Sequence, residues 1–371
     1  GRGRGLERRC GHNGQMQRLT VASRFGDYEV VAEPGALTRL GELMDERVLG
    51  RPRSLVSNTT VAPLRAAETA SHLGCALVEL SDGEEYKRWP AIETLLDSWL
   101  DLGLHRGDMV AAVGGGVLTD TVGFAASVYL RGIAWTAVPT TLLAMVDASV
   151  GGKTGINLEL GKNLVGSFWL PRLVVVDVTT LTTLSERELR AGAAEVIKTA
   201  WIGDHQLLDQ LSGGLPSVDD ERWQDVVMRC LEVKARVVSE DELEGGRRAA
   251  LNLGHTLGHA LEAATGYRHF LHGEAVAWGL LAAAGLGERH GTLSVSGVEK
   301  LRGAVSALGP IPSIAAIDDE GLREHIGREK KKDDGGVAWV LPTDDGVVTG
   351  QRVETDEAIE VFRELQANPS S

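Results

Sequence analysis

From about residue 53 the hydrophobic and polar positions of the chain alternate between two periods. Arg53–Asn58, Ala76–Leu80, Met109–Val113, Trp135–Val138 and Leu173–Val178 are short apolar runs of the kind that form buried strands. Between the early ones lie Val61–Gly74 and Ile92–Leu104, whose apolar positions follow helical spacing. Strands separated by helices of roughly 10–15 residues predict βαβ units and a mostly parallel sheet, with ligands outside the carboxyl ends of the strands. The pattern changes near residue 185, where Ser185 and Glu188 have the S-x-x-E spacing of a helix capping box. From there to about residue 330 the periodicity is helical, and Val337–Leu341 is the one late strand candidate. The expected architecture is an α/β, Rossmann-like N-terminal domain with a parallel sheet over residues 16–184 and a mostly α-helical C-terminal domain over 185–371. The active site is expected in the cleft between them.

Residues 1–15 do not join this pattern. The opening GRGRGLERRCGHNGQMQR carries five arginines against one acid and lacks the apolar core of a secretory signal, so a disordered or non-native extension is expected there, with the natural start near Met16. Over the whole chain the formal charge is −14, which excludes a globally basic surface for nucleic acid or anionic lipid. The longest apolar stretch, Ala275–Gly287, is shorter than the ~18 residues of a membrane span. Three cysteines, Cys10, Cys75 and Cys230, have no metal-type spacing and fit a reducing cytoplasm. Glycine is the outlier: 46 of 371 residues, against a usual share of roughly 7%. That excess directs attention to turns and ligand loops.

Gly114-Gly115-Gly116-Val117-Leu118-Thr119-Asp120 follows a predicted strand and precedes a helical segment, so its backbone could approach a pyrophosphate at a helix N-terminus. The spacing is not G-x-G-x-x-G, and a plain tight turn is the competing explanation. Gly151-Gly152-Lys153-Thr154-Gly155 is not a P-loop either, because Asp147 stands where the first glycine is required. What remains is two lysines in glycine-rich turns, Lys153 and Lys162, flanked by Asp147 and Asn163, a set suited to phosphate or carboxylate.

Ala249–Glu262 reads ALNLGHTLGHALEA, placing His255 and His259 on one face of a helix, with His272 following in LHGE. Thr256 occupies the glutamate position of H-E-x-x-H, so the metalloprotease pattern is absent. Glu195 and Lys198 share a face of the helix that Ser185 opens. One carboxylate with two imidazoles is a catalytic zinc set that leaves positions open for substrate. Spacing alone leaves open which two histidines bind.

The runs GGGVLTDTVGFAASVYLRG, VPTTLLAMVDASVGGKTGINLELGKNLVGSFWLP, ERELRAGAAEVIK, RRAALNLGHTLGHALE and LHGEAVAWG closely resemble the 3-dehydroquinate synthase family of the sugar-phosphate cyclases, over about residues 53–345. The resemblance implies a carbon–oxygen lyase of the shikimate pathway. With bound NAD and zinc or cobalt, it turns 3-deoxy-D-arabino-heptulosonate 7-phosphate into 3-dehydroquinate and phosphate. It implies Glu195, His255 and His272 as metal ligands. NAD would lie on Asp82, Gly83, Glu84, Glu85, Tyr86 and Lys87, on Gly116, Val117, Leu118, Thr119 and Asp120, on Thr140 and Thr141, and on Thr180, Leu181, Thr182 and Thr183, with Lys153 and Lys162 in the same set. Substrate would meet Asp147, Lys153, Asn163, Lys198, Lys234, Arg248, Asn252 and His259, with Lys330 and Lys331 near the C-terminus and Arg131 offered across a homodimer interface. Two departures stand out: Glu329 replaces an aspartate, and Thr119 stands where glycine is common.

These residue types suit that chemistry. A substrate with a carboxylate and a phosphate needs local cations although the chain is acidic, and Arg248 with Lys234 would grip the carboxylate. Lys153, Lys198 and a C-terminal lysine would surround the phosphate, with Asn163 and Asn252. The rival expectations are a sister cyclase such as an aminodehydroquinate synthase, or a metal-dependent NAD alcohol dehydrogenase of the glycerol type. Release of phosphate without net NADH separates the cyclase from the dehydrogenase.

Overall fold

The computed structural model describes residues 8–10, 16–159, 161–242, 246–328 and 336–368. They fall into two units, Gly1–Leu184 with Val218–Ala235, and Ser185–Ser217 with Arg236–Ser371.

The first unit is built on strands β1 (Arg8–Cys10), β2 (Gln17–Val21), β3 (Tyr28–Ala32), β4 (Ser54–Asn58), β5 (Ala76–Leu80), β6 (Met109–Gly114) and β7 (Ala134–Pro139), a hairpin β8 (Lys153–Leu158) and β9 (Gly161–Phe168), and β10 (Leu173–Val176). All but the hairpin form one sheet in the order β1-β2-β3-β10-β7-β6-β4-β5. The pairs from β3 to β5 are parallel, and β1 and β2 add an antiparallel edge. Arg8–Cys10, which the sequence leaves outside the fold, therefore pairs with β2 through Arg8↔Leu19 to Cys10↔Gln17. Helices α1 (Leu40–Asp45), α2 (Ala67–Leu73), α3 (Trp89–Asp101) and α4 (Gly116–Val128) belong to this unit. The strands read as unbroken apolar runs because both faces are covered: every residue of β4, β6 and β10 is buried. One face packs Leu55, Ala111, Val113, Val138 and Val175 against Leu40, Leu43 and Met44.

Chain order β4, β5, β6 against spatial order β6-β4-β5 makes the carboxyl ends of β4 and β6 a switch point, where open α/β sheets bind ligands. The turns after β5 and β6 both end there.

The segment Val218–Ala235, which the sequence assigns to the helical domain, groups with the first unit. It holds most of α7 (Arg222–Glu240), whose Gln224 donates to Ala32 O at 3.2 Å. The second unit contains α5 (Glu186–Gly203), α6 (His205–Leu211), α8 (His255–Ala264), α9 (His272–Arg289), α10 (Val295–Ser306), α11 (Asp319–Arg328), the hairpin β11 (Val337–Thr343) and β12 (Gly346–Val353), and α12 (Thr355–Ala367). Ser185 Oγ accepts from Glu188 N at 3.2 Å and opens α5. Helix α9 is the buried axis of this unit. A Cβ on Gly273 would lie 1.8 Å from Ala191 O, and one on Gly279 1.8 Å from Gly254 O. Two glycines thus let α9 touch the backbone of α5 and of the turn before α8, and that close approach sets the distances in the site below.

Candidate active site

In the first unit the turn after β5 and the start of α4 line an open pocket, with Asp82, Gly83, Tyr86, Lys87, Val117 and Leu118 among its walls. These come from the residues that the family resemblance assigns to NAD. Beneath them Lys87 is buried, and its Nζ donates to Asp120 Oδ2 and to Asn163 Oδ1, both at 2.6 Å. Burial pushes the Asp120 carboxyl above its ordinary value, with the Lys87 ammonium pulling the other way. Glu84 is half-buried and held by Asn157, while Glu85 and Tyr86 are exposed.

The threonines of the expected nucleotide set are mostly occupied by their own backbone. Thr119 is buried, and its hydroxyl donates to Gly116 O at 3.1 Å. Thr141 Oγ1 accepts from Ala144 N, while Thr182 and Thr183 donate to Thr179 O and Thr180 O. Thr180 donates to Asp177 O at 2.7 Å, and Leu181 is a fully buried core residue. Thr140, also buried, follows β7 and bonds Gly114 O through its N–H at 3.0 Å.

Lys153 opens β8 rather than lying in a loop, and its side chain is exposed. The turn before it is fixed by Tyr28, whose hydroxyl accepts from Gly151 N at 3.2 Å. Lys162 is half-buried in β9. Lys234 is buried, with Nζ on Asp147 Oδ1 at 2.6 Å and also on Asp147 O. Arg131 is exposed on a left-handed backbone (φ 66°), next to Leu130 (φ 49°), whose carbonyl accepts two bonds from Arg106.

The second unit gathers the imidazoles. Glu195 is fully buried on α5, with Lys198 Nζ 2.5 Å from Oε2 one turn along. His255 Nε2 and His272 Nε2 lie 3.7 and 3.5 Å from Glu195 Oε1. His255 Nδ1 is 3.1 Å from Leu253 O, and His272 Nδ1 is 3.1 Å from Glu262 Oε2. Each ring thus spends its Nδ1–H on an oxygen and turns Nε2 to the carboxylate, the arrangement that orients metal-binding histidines. Burial would raise the Glu195 carboxyl, but Lys198 and the two imidazoles outweigh it and hold it well below the carboxylate range. Burial, with Lys198 nearby, pushes His255 down to about 3. His272 resists burial because Glu195 and Glu262 raise it to about 10.

This cluster fits a divalent metal. One ligand atom from each of Glu195, His255 and His272 lies within 4.8 Å of the other two. Both Glu195 oxygens are buried and accept no hydrogen bond. An ionised carboxylate so placed, beside two imidazoles that turn Nε2 towards it, is a donor set for a Lewis acid once His272 gives up its proton. His259, exposed on α8, lies edge-on to His255 at 5.2 Å and stacks on His272 at 5.9 Å between centroids.

Arg248 is buried in the turn before α8 and donates to Glu242 O at 2.8 Å, while Asn252 is exposed. Lys330 and Lys331 lie outside the described residues. Sequence reasoning missed Asn157, Glu262 and Asn58, all buried and polar, the last lining the pocket with Nδ2 donating to Asp82 Oδ1 at 2.8 Å. A buried amide or carboxylate is invisible in a hydrophobic pattern; only H-A-L-E, which puts Glu262 one turn after His259, hinted at one of them.

Comparison with known proteins identifies the family. The family models for the 3-dehydroquinate synthase N-terminal and C-terminal domains match residues 77–191 and 192–332. The 3-dehydroquinate synthase of Geobacter metallireducens is 45% identical over 334 residues, 88% of this chain and 93% of that protein. A 2-epi-5-epi-valiolone synthase from Streptomyces hygroscopicus, solved with NAD+ and Zn2+, superposes with a TM-score of 0.82 at 27% identity over 94% of this chain and 99% of the other. A 2-deoxy-scyllo-inosose synthase complexed with carbaglucose-6-phosphate, NAD+ and Co2+ does so at 0.82 and 26%, over 93% and 99%. With both halves of the family pattern matched and this identity along most of its length, the chain belongs to the 3-dehydroquinate synthase family.

Proposed function

We propose that the clusters described above carry out the family's reaction, conversion of 3-deoxy-D-arabino-heptulosonate 7-phosphate into 3-dehydroquinate and phosphate. The chain is an enzyme of this type, a carbon–oxygen lyase that uses NAD and a divalent metal. The observation that carries the residue assignment is the buried Glu195 carboxylate with two imidazole Nε2 atoms 3.5 and 3.7 Å away and no hydrogen bond to its oxygens.

Glu195, His255 and His272 hold the metal; Asp82–Lys87 and the start of α4 hold the nucleotide. When bound, NAD withdraws and returns a hydride at one carbon, and the metal makes substrate hydroxyls easier to ionise. Lys198 balances the charge of Glu195. No side chain caps the start of α4, so its first N–H groups, at Gly116 and Val117, are placed to take an anionic group of the nucleotide. Lys153 and Asn163 take the phosphate. Lys234 holds the Asp147 carboxylate in place for a substrate hydroxyl. Arg248 presents a planar fork to the carboxylate. His259, exposed beside the two liganding rings, takes or returns a proton at an imidazole nitrogen.

A homodimer belongs to the same proposal, with exposed Arg131 offered to the partner's phosphate site from a turn that Arg106 braces. So does a cytoplasmic location; among the described residues no helix is long and apolar enough to cross a membrane.

The test is direct. Purified protein with NAD and zinc or cobalt is given the heptulosonate phosphate, and phosphate, dehydroquinate and NADH are followed together. Equal amounts of phosphate and dehydroquinate without net NADH are expected. Substrate-dependent NADH without phosphate would reassign the chain as a dehydrogenase.

A further inference from the structure

We infer that Asn157 is a positioning residue that locks the nucleotide turn and the phosphate-side Asn163 into one geometry, so that a single buried amide sets both halves of the first unit's site. Asn157 is 6% exposed and lies in β8 where the pairing with β9 slips between Ile156 and Leu158. Such an irregularity takes a residue out of the ladder and re-aims its backbone and side chain. Here the freed N–H donates to Lys87 O at 2.7 Å. The side chain works in both directions. Its Nδ2 donates to Glu84 Oε1 at 2.7 Å and to Glu84 O at 3.3 Å. Its Oδ1 accepts from Asn163 N at 2.8 Å.

These bonds close a ring. Asn157 N holds the Lys87 carbonyl, Asn157 Oδ1 holds the Asn163 backbone, and Asn163 Oδ1 in turn accepts from Lys87 Nζ at 2.6 Å. Asn163 needs that hold, because its φ of 54° lies in the left-handed region that non-glycine residues enter at a cost. Lose the Oδ1 acceptor and Asn163 relaxes, taking its amide away from Lys87. Lose the Nδ2 donor and the Glu84 carboxylate is released. The two ends are separable by substitution. Asn157→Asp keeps an acceptor for Asn163 but sets a second carboxylate against Glu84, whereas Asn157→Ala removes both.

The inference rests on the reading that Glu84 and Lys87 face NAD and Asn163 faces the substrate phosphate. NAD binding is measured by calorimetry on the metal-loaded protein, and KM for the heptulosonate phosphate at saturating NAD. For Asn157→Asp the expected result is NAD binding about tenfold weaker with KM within about threefold of the parent. For Asn157→Ala both weaken about tenfold or more. Lys87→Ala and Asn163→Ala are run alongside. If those two lose their ligands while both Asn157 variants, folded by thermal melt, bind like the parent, the positioning role is overturned and the site reading stands. If Lys87→Ala and Asn163→Ala also bind both ligands normally, the site reading falls and the inference with it. Equal weakening of both ligands by Asn157→Asp would overturn the two-ended role, since a general loss of packing moves both.

Discussion

Each unit holds a polar cluster, and the two are finished differently. In the first, Lys87, Asp120, Asn157 and Asn163 satisfy one another through bonds of 2.6 to 2.8 Å. In the second, the Glu195 carboxylate is more deeply buried than part-buried Asp120 or exposed Asn163, and its oxygens meet the Lys198 ammonium and two imidazoles rather than a closed set of hydrogen bonds. A satisfied network keeps its shape without a ligand, whereas an ammonium and two imidazole Nε2 atoms around one buried carboxylate form a ligand set that a metal completes by displacing the His272 proton. The nucleotide side is therefore pre-formed, and the metal side is completed by its metal. Removing the metal should disturb the second cluster and leave NAD binding largely intact.

The largest effect follows from breaking the unfinished cluster. Glu195→Gln removes the charge that draws the metal while keeping volume. The expected outcome is loss of bound metal, read by mass spectrometry after dialysis, and a fall in phosphate release on the order of 10³-fold, since a Lewis acid contributes several kcal/mol. NAD affinity should stay within about threefold, because a self-satisfied network does not need the metal to hold its shape. Full metal occupancy in Glu195→Gln would sink the ligand assignment, and loss of NAD affinity would sink the contrast between the clusters.

Glu262 offers a finer cut. It is not one of the three assigned ligands but holds His272 Nδ1 at 3.1 Å, which keeps the opposite nitrogen turned to Glu195. Glu262→Ala should weaken metal binding about 10–100-fold, the usual cost of losing such a support. Competition with a chromogenic chelator measures it. Unchanged affinity would mean that packing alone orients His272.

Acidity sharpens the contrast further. In the metal-free protein His272 is raised to about 10 and His255 lowered to about 3, so near neutral pH one ring is charged and the other neutral. Metal must displace the His272 proton. Zinc binding between pH 7 and 9 should therefore release about one proton, and affinity should rise with pH towards 10. Calorimetry in buffers of different ionisation enthalpy counts that proton. The stability signs are opposite for the two rings. The raised His272 stabilises the metal-free fold fully below the unfolded value near 6.5, and that contribution is lost as pH rises through about 10. The lowered His255 contributes stability above the unfolded value, and it is lost as pH falls from there towards about 3.

What the sequence made legible follows from the same physics. Strands buried on both faces, such as β6 and β10, announce themselves as apolar runs, and Ser185 marks the start of α5 to the residue. Strands β2 and β3 went unread because their polar residues, Arg18, Thr20 and Glu29, break the run. The β8–β9 hairpin does not stand out as strand because glycines at 152, 155, 161 and 166 interrupt its pattern; at 155 and 166 the facing backbones are so close that a Cβ would fall within 2.7 and 2.1 Å of a carbonyl oxygen. The histidines and Glu195 were legible as residue types at helical spacing. Asn157 and Glu262 were not, since their roles exist only across elements that the fold brings together.

The smallest effect concerns Thr119, where the family commonly has glycine. The substitution suggests a disturbed nucleotide contact, but the side chain turns away: it is 2% exposed and its hydroxyl bonds Gly116 O within the first turn of α4. The pocket wall at this point is instead made by Val117, Leu118 and Thr121. Thr119→Gly should therefore leave NAD affinity within about twofold, because no pocket-lining atom is removed, while lowering stability by about 1 kcal/mol through added backbone freedom and a lost buried methyl. Calorimetry and thermal unfolding separate the two. A gain in NAD affinity would show that the threonine crowds the nucleotide after all, and that the first cluster is less finished than its hydrogen bonds imply.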